Sequence, residues 1–92
     1  MKVRFSRLSR TQLVAIHNFL SERNPAAAHR AGRAIWEAIE VIRAFPFAGR
    51  VGRAPDTREW VIAGFPYIVV YEVDEGQSEI TVLGVFHGAQ DR

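Results

Sequence analysis

Gly64-Phe65-Pro66-Tyr67-Ile68-Val69-Val70-Tyr71-Glu72-Val73 is β-branched or aromatic at almost every position, a composition that suits a pleated strand. Pro66 belongs at the first position of such a strand, because it has no N–H to give the ladder. One face then carries Tyr67, Val69, Tyr71 and Val73, and the other Ile68, Val70 and Glu72. Two apolar faces predict cover on both sides, which places the strand centrally in a sheet. Asp74-Glu75-Gly76 reads as a tight hairpin turn. Beyond it, Glu79-Ile80-Thr81-Val82-Leu83-Gly84-Val85-Phe86-His87 predicts a second strand, paired antiparallel with the first.

Upstream, Thr57-Arg58-Glu59-Trp60-Val61-Ile62 reads as a third strand. Before it runs Phe47-Ala48-Gly49-Arg50-Val51-Gly52-Arg53-Ala54-Pro55-Asp56, rich in glycine, closed by proline and carrying two arginines. It is the one long loop expected, and long loops in small domains often carry function. Phe45-Pro46 stops a helix, since the residue before proline is pushed out of helical geometry. That helix is expected from Pro25 to about Ala44, with Ala28, Ala31, Ile35, Ala38, Ile39 and Ile42 on its apolar stripe. Trp36 is expected in the core. Asn24-Pro25 caps and starts this helix. An earlier helix ends near Arg23, its stripe made by Leu13, Ile16 and Leu20, with His17 beside it as a boundary residue. Ser9-Arg10-Thr11-Gln12 matches a capping box for its start. The alanines on the second stripe predict that the two helices pack as an antiparallel hairpin. Lys2 to Ser6 alternates like a short strand. The order βααβββ predicts an α+β fold: a helical hairpin on a small antiparallel sheet.

Ninety-two residues make one domain spanning 1–92. No apolar run is long enough to span a membrane. No secretory signal is expected, because Lys2-Val3-Arg4-Phe5 is already strand-like. The absence of cysteine excludes disulfides and thiolate metal sites and fits the cytoplasm. No metal site and no cofactor are expected. Charge is unevenly spread. Residues 1–58 hold 11 of the 12 basic side chains and 4 of the 10 acidic ones, whereas residues 59–92 hold one and six. Such a split suggests a basic face and an acidic partner surface or substrate, against the plainer view that solvated charges simply fell this way.

Several features coincide in order and spacing: the helical hairpin after a short strand, Phe45-Pro46-Phe47-Ala48-Gly49-Arg50, then Arg58-Glu59. Phe65-Pro66-Tyr67-Ile68-Val69-Val70-Tyr71 follows, and last Val82-Leu83-Gly84-Val85-Phe86-His87-Gly88-Ala89-Gln90-Asp91. Together they resemble the ParE/RelE superfamily, the toxins of bacterial type II toxin–antitoxin systems, across nearly the whole chain. The resemblance implies a cytoplasmic toxin held by a cognate antitoxin, whose segment folds on binding. It also implies one of two targets. ParE-type members poison DNA gyrase; RelE-type members cut mRNA on the ribosome.

RNA cleavage needs a group to activate the 2′-OH, an acid for the leaving oxygen and cations on the phosphate. His87, Arg58 and Arg50 are the candidates for those roles. RelE-type members usually carry a cation at the start of the central strand, where this chain has Phe65-Pro66-Tyr67-Ile68. The lysines many of them place before the second strand are absent, and Lys2 is the only lysine. The terminal tyrosine that some of them use is missing from Gly88-Ala89-Gln90-Asp91-Arg92. A gyrase poison needs a binding surface and no acid–base pair, which Arg50, Arg53 and Arg58 can supply. The ParE-type expectation is therefore the leading one. The mRNA interferase stands as the alternative, and an inactive or differently targeted interaction module as a third. His87 is expected to be structural, and Trp60, Tyr67 and Tyr71 to be core or sheet-face residues rather than base-stacking platforms. The antitoxin is expected to contact Leu13 and Trp36 on the helices, and the acidic Glu72, Asp74, Glu75 and Glu79.

Overall fold

A computed structural model describes residues 1–88. Its elements are β1 (Lys2–Phe5), α1 (Arg7–Arg23), α2 (Pro25–Ala44), β2 (Arg50–Val51), β3 (Arg58–Val61), β4 (Tyr67–Asp74) and β5 (Glu79–His87). Ala89, Gln90, Asp91 and Arg92, which end the C-terminal pattern, lie outside the described residues. No helix among the described residues is long and apolar enough to cross a membrane.

The strands form one sheet in the order β1-β5-β4-β3-β2, so β4 is central as its sequence predicts. β2, β3, β4 and β5 pair antiparallel in succession. β1 pairs parallel with β5, Val3 against Ile80 and Phe5 against Val82. The sheet is thus mixed, and it carries a short strand, β2, inside what reads as a loop.

Two helices pack on this sheet. The core joins Tyr67, Val69 and Tyr71 of β4 to Ile80, Val82 and Val85 of β5, Ile62, and Ala38, Ile39 and Ile42 of α2. Leu13, Ile16 and Leu20 of α1 pack against it. Ile68 and Val70 on the other face of β4 are also buried, whereas Glu72 is exposed. Cover on both faces therefore holds from Tyr67 to Tyr71.

The start of α1 differs from the expected capping box. Ser6 is the N-cap: its hydroxyl oxygen accepts the Ser9 N–H at 3.0 Å and donates to the Leu83 carbonyl at 2.9 Å. Ser9 is wholly buried and donates to the Ser6 carbonyl at 2.8 Å. Gln12 Oε1 accepts the Val85 N–H at 2.7 Å. The physical reason is that β1 stops at Phe5, leaving backbone groups of β5 beyond Val82 to be satisfied. Ser6 and Gln12 are spent on β5 as well as on the helix. Asn24 serves both helices, its N–H donating to the Leu20 carbonyl at 2.7 Å and its Oδ1 accepting from Ala27 N–H at 3.1 Å.

Trp36 is not in the core; it is 64% exposed. It follows Ile35 by about 100° around α2, one step off the stripe that faces the sheet. The β4–β5 turn is also longer than a two-residue hairpin. It spans residues 75–78, with Asp74 Oδ1 accepting the Gln77 N–H at 3.1 Å. Ser78, not Gly76, takes the left-handed conformation, at φ 51°.

Candidate functional site

The segment from Pro46 to Arg58 is built from polar clips, because little of it is buried. Tyr71 reaches from β4 with a fully buried ring; its hydroxyl donates to the Pro46 carbonyl at 2.7 Å and accepts the Gly49 N–H at 2.9 Å. Burial pushes the Tyr71 phenol up from its ordinary pKa, opposed more weakly by the Gly49 N–H and the Arg58 charge. Glu59 lies in β3 with its side chain 3% exposed. One carboxylate oxygen takes the Arg50 guanidinium at 3.1 Å, and the other accepts the Arg53 backbone N–H at 3.1 Å. Thr57 closes the end of the turn: its carbonyl accepts the Gly52 N–H at 2.8 Å, and its hydroxyl donates to the Ala54 carbonyl at 2.7 Å. Two glycines are required by close approach. A Cβ on Gly49 would lie 2.5 Å from the Tyr71 hydroxyl oxygen and 3.0 Å from the Glu59 carbonyl oxygen, and one on Gly52 would strike the Thr57 hydroxyl.

The three arginines expected at a target surface therefore differ in employment. Arg58 donates to the carbonyls of Gly49 at 2.9 Å and Phe47 at 3.3 Å, with its guanidinium 4.9 Å from the Phe47 ring centroid. Arg50 is tied to Glu59 while its side chain stays 58% exposed. Arg53 is exposed and contributes its backbone N–H to the clip. Val51 stands beside it at 79% exposure on the outermost strand of the sheet.

The structure does not bring the cleavage candidates together. Arg58 pairs with Tyr71 on one side of β4, and His87 pairs with Tyr67 on the other. These positions are separated by about 13 Å along the strand and about 10 Å across it. The His87 ring instead meets Tyr67 edge-on, with centroids 6.1 Å apart. Tyr67 and Tyr71 are buried and Trp60 is half-buried, as expected of core and sheet-face residues.

A second feature lies between the helices. The small residues Ala28, Ala31 and Gly32 of α2 leave an apolar groove of about 390 Å³ against Leu13 and Leu20 of α1. Trp36 stands on its rim, with Arg43 and Glu40 near one end. The structure thus unites Leu13 and Trp36.

The family model described as "ParE toxin of type II toxin-antitoxin system, parDE" matches residues 3–92. The chain belongs to the ParE toxin family. A protein of Sinorhizobium fredii with the name "Putative toxin Y4kP" is 30% identical over 89 residues, covering 97% of this ParE chain and 90% of Y4kP. The fold is similar to a chain of the chromosomal ParDE system of P. aeruginosa, with a TM-score of 0.82 at 23% identity over 95% of each chain. It is also similar to a chain of the RelBE2 complex of Mycobacterium tuberculosis, with a TM-score of 0.64 at 20% identity over 94% of this chain and 95% of that one.

In this ParE-family chain the acidic residues expected to meet the antitoxin lie apart from the groove. Glu72, Asp74 and Glu75 surround a shallow depression with Phe47, Val73 and Asp56. Glu79 is engaged by Arg4 at 3.2 Å. Asp56 and Phe47 bring the flank of the basic loop to the acidic turn. Sequence reasoning missed the roles of Glu59, the Tyr71 hydroxyl and Thr57. The available signal was a carboxylate inside an apolar strand, which needs a partner wherever it is buried.

Proposed function

We propose that this ParE-family toxin inhibits growth by binding DNA gyrase through the Arg50–Arg53 loop, with no chemistry of its own. The observation that carries this reading is the loop itself, clipped by Glu59 and Tyr71, with Val51 on the edge strand and Arg53 just after it both exposed. Binding needs such a presented surface, whereas acid–base cleavage needs groups that converge on one phosphate. The separation of His87 from Arg58 favours the first. The toxin acts in the cytoplasm and is neutralised by a cognate antitoxin. An apolar segment of that antitoxin lies in the interhelical groove across Leu13 and Trp36, and its basic residues meet Glu72, Asp74 and Glu75. Support for such a partner comes from the solved relatives, which are toxin–antitoxin systems.

The test is a supercoiling assay with purified bacterial gyrase, run beside an in vitro translation assay with mRNA cleavage mapping. The expected result is lost supercoiling or trapped cleavage complexes with intact mRNA. Arg50→Ala combined with Arg53→Ala should abolish the effect on gyrase while circular dichroism stays that of the folded chain. Ribosome-dependent mRNA cuts with normal supercoiling would overturn the proposal in favour of the interferase.

A further inference from the structure

A carboxylate at Glu59 is an expensive way to fill a strand. β3 pairs Glu59 with Val70, and the Glu59 residue is only 4% exposed. Burying an ionised carboxylate is unfavourable unless it is paired and hydrogen-bonded, and a well-packed apolar residue often serves stability equally well. Stability alone therefore does not account for Glu59. Its two oxygens address the two ends of one turn, the Arg50 guanidinium and the Arg53 N–H. Tyr71 does the same one step earlier, at Pro46 and Gly49. Val51 is 79% exposed, so burial of the loop's own apolar residue does little to hold its shape. These polar contacts hold the backbone of the turn that carries Arg53.

We infer that Glu59 is a positioning residue for target binding, assisted by Tyr71: it fixes the Arg50–Arg53 turn in advance, so that the Arg53 guanidinium meets an acidic surface of the target without an ordering cost. This rests on the reading of the loop as the target-binding element. Preorganisation of this kind raises affinity by reducing what must be ordered on binding. Glu59 itself is not exposed to a partner, so its effect travels through the loop.

The variant Glu59→Gln keeps the shape and removes the charge, and Tyr71→Phe removes only the hydroxyl. Hydrogen exchange at individual amides and gyrase supercoiling inhibition are measured for both, beside the Arg50→Ala/Arg53→Ala chain. In Glu59→Gln, exchange at the Arg53 and Gly52 amides should accelerate about tenfold or more, the scale of losing a charge-assisted hydrogen bond. Exchange at Val69 and Val82 should stay unchanged, and the toxin concentration for half-inhibition should rise about tenfold. A general loss of stability would instead raise exchange at all four amides. If Glu59→Gln does not fold, Tyr71→Phe carries the test, with the Gly49 amide as its reporter. Unchanged inhibition in the clip variants, with inhibition abolished in the double-arginine variant, overturns the role of Glu59 and leaves the loop as the target surface. Lost inhibition with unchanged exchange at the reporter amides also overturns it, because positioning was not what changed. Full inhibition by the double-arginine variant removes the loop from target binding, and this inference falls with it.

Discussion

Tyr71 combines two jobs that its position on β4 makes compatible. Its ring fills the core, and its hydroxyl ties down the chain where α2 ends and the basic loop begins. Removing that oxygen leaves the Gly49 N–H and the Pro46 carbonyl without a buried partner, at a cost of about 1–3 kcal/mol. The pH dependence has a definite sign. Burial raises the folded-state pKa of Tyr71 above its ordinary value of 10.0, so in that alkaline window the folded chain holds a proton that the unfolded chain releases. Stability from this group is complete below pH about 10 and is lost as pH rises through the folded-state pKa. The urea midpoint of the protein should fall as pH is raised past 10, and the fall should be shallower in Tyr71→Phe. Equal slopes in the two proteins would show that Tyr71 does not titrate with unfolding. The sequence made the Tyr71 ring legible through strand alternation, but not its hydroxyl, because the partner carbonyl and amide lie more than twenty residues away. The same limit explains Ser9 and Gln12. Their spacing is that of a capping box, yet Gln12 answers an amide on β5 that local sequence cannot reveal.

At the scale of elements, the helices were the most readable part. Period, cap and stop residues fix α2 from Pro25 to Ala44, as expected from the sequence. Trp36 shows what periodicity leaves open. A helix with small residues on its stripe can bury one flank and expose the next, and the choice depends on what the facing helix leaves uncovered. Ile42 and Trp36 therefore make a controlled pair on one helix. Ile42 is 0% exposed and packs into the core cluster. Ile42→Ala should cost about 2–5 kcal/mol, as large-to-small changes in a core do. Trp36→Ala should change stability by no more than about 0.5 kcal/mol, as at other exposed sites. Chemical denaturation of both variants checks this. A loss at Trp36 comparable to that at Ile42 would mean that the indole is part of the monomer's core. The short strand β2 was the element sequence could not give. Two residues carry no alternation, and Gly49 and Gly52 on either side read as loop. The glycines are there because Tyr71 and Thr57 come too close for any Cβ.

In the whole sheet that missed strand forms one edge and β1 the other. From β2 to β5 the chain reverses at each antiparallel pairing, so β5 runs opposite to β2. β5 and β1 are parallel, and the first strand of the chain lies beside its last. Residues 2–5 thus meet residues 79–82, the most distant pairing in the fold. The helical hairpin and the β4–β5 hairpin close short loops; the β1–β5 pairing closes nearly the whole chain and carries the largest loop-closure entropy. β1 is expected to dock after the folding transition state. Phe5 reports on this, because it pairs with Val82 and is half-buried against the core. Phe5→Ala should destabilise the protein by about 2 kcal/mol, less than a fully buried phenylalanine would lose. If β1 docks late, stopped-flow kinetics will place nearly all of that loss in faster unfolding, with the refolding limb superimposed on that of the parent chain. A refolding limb slowed by the full amount would put the β1–β5 pairing in the folding nucleus, and the sheet would then assemble from its two chain ends inward.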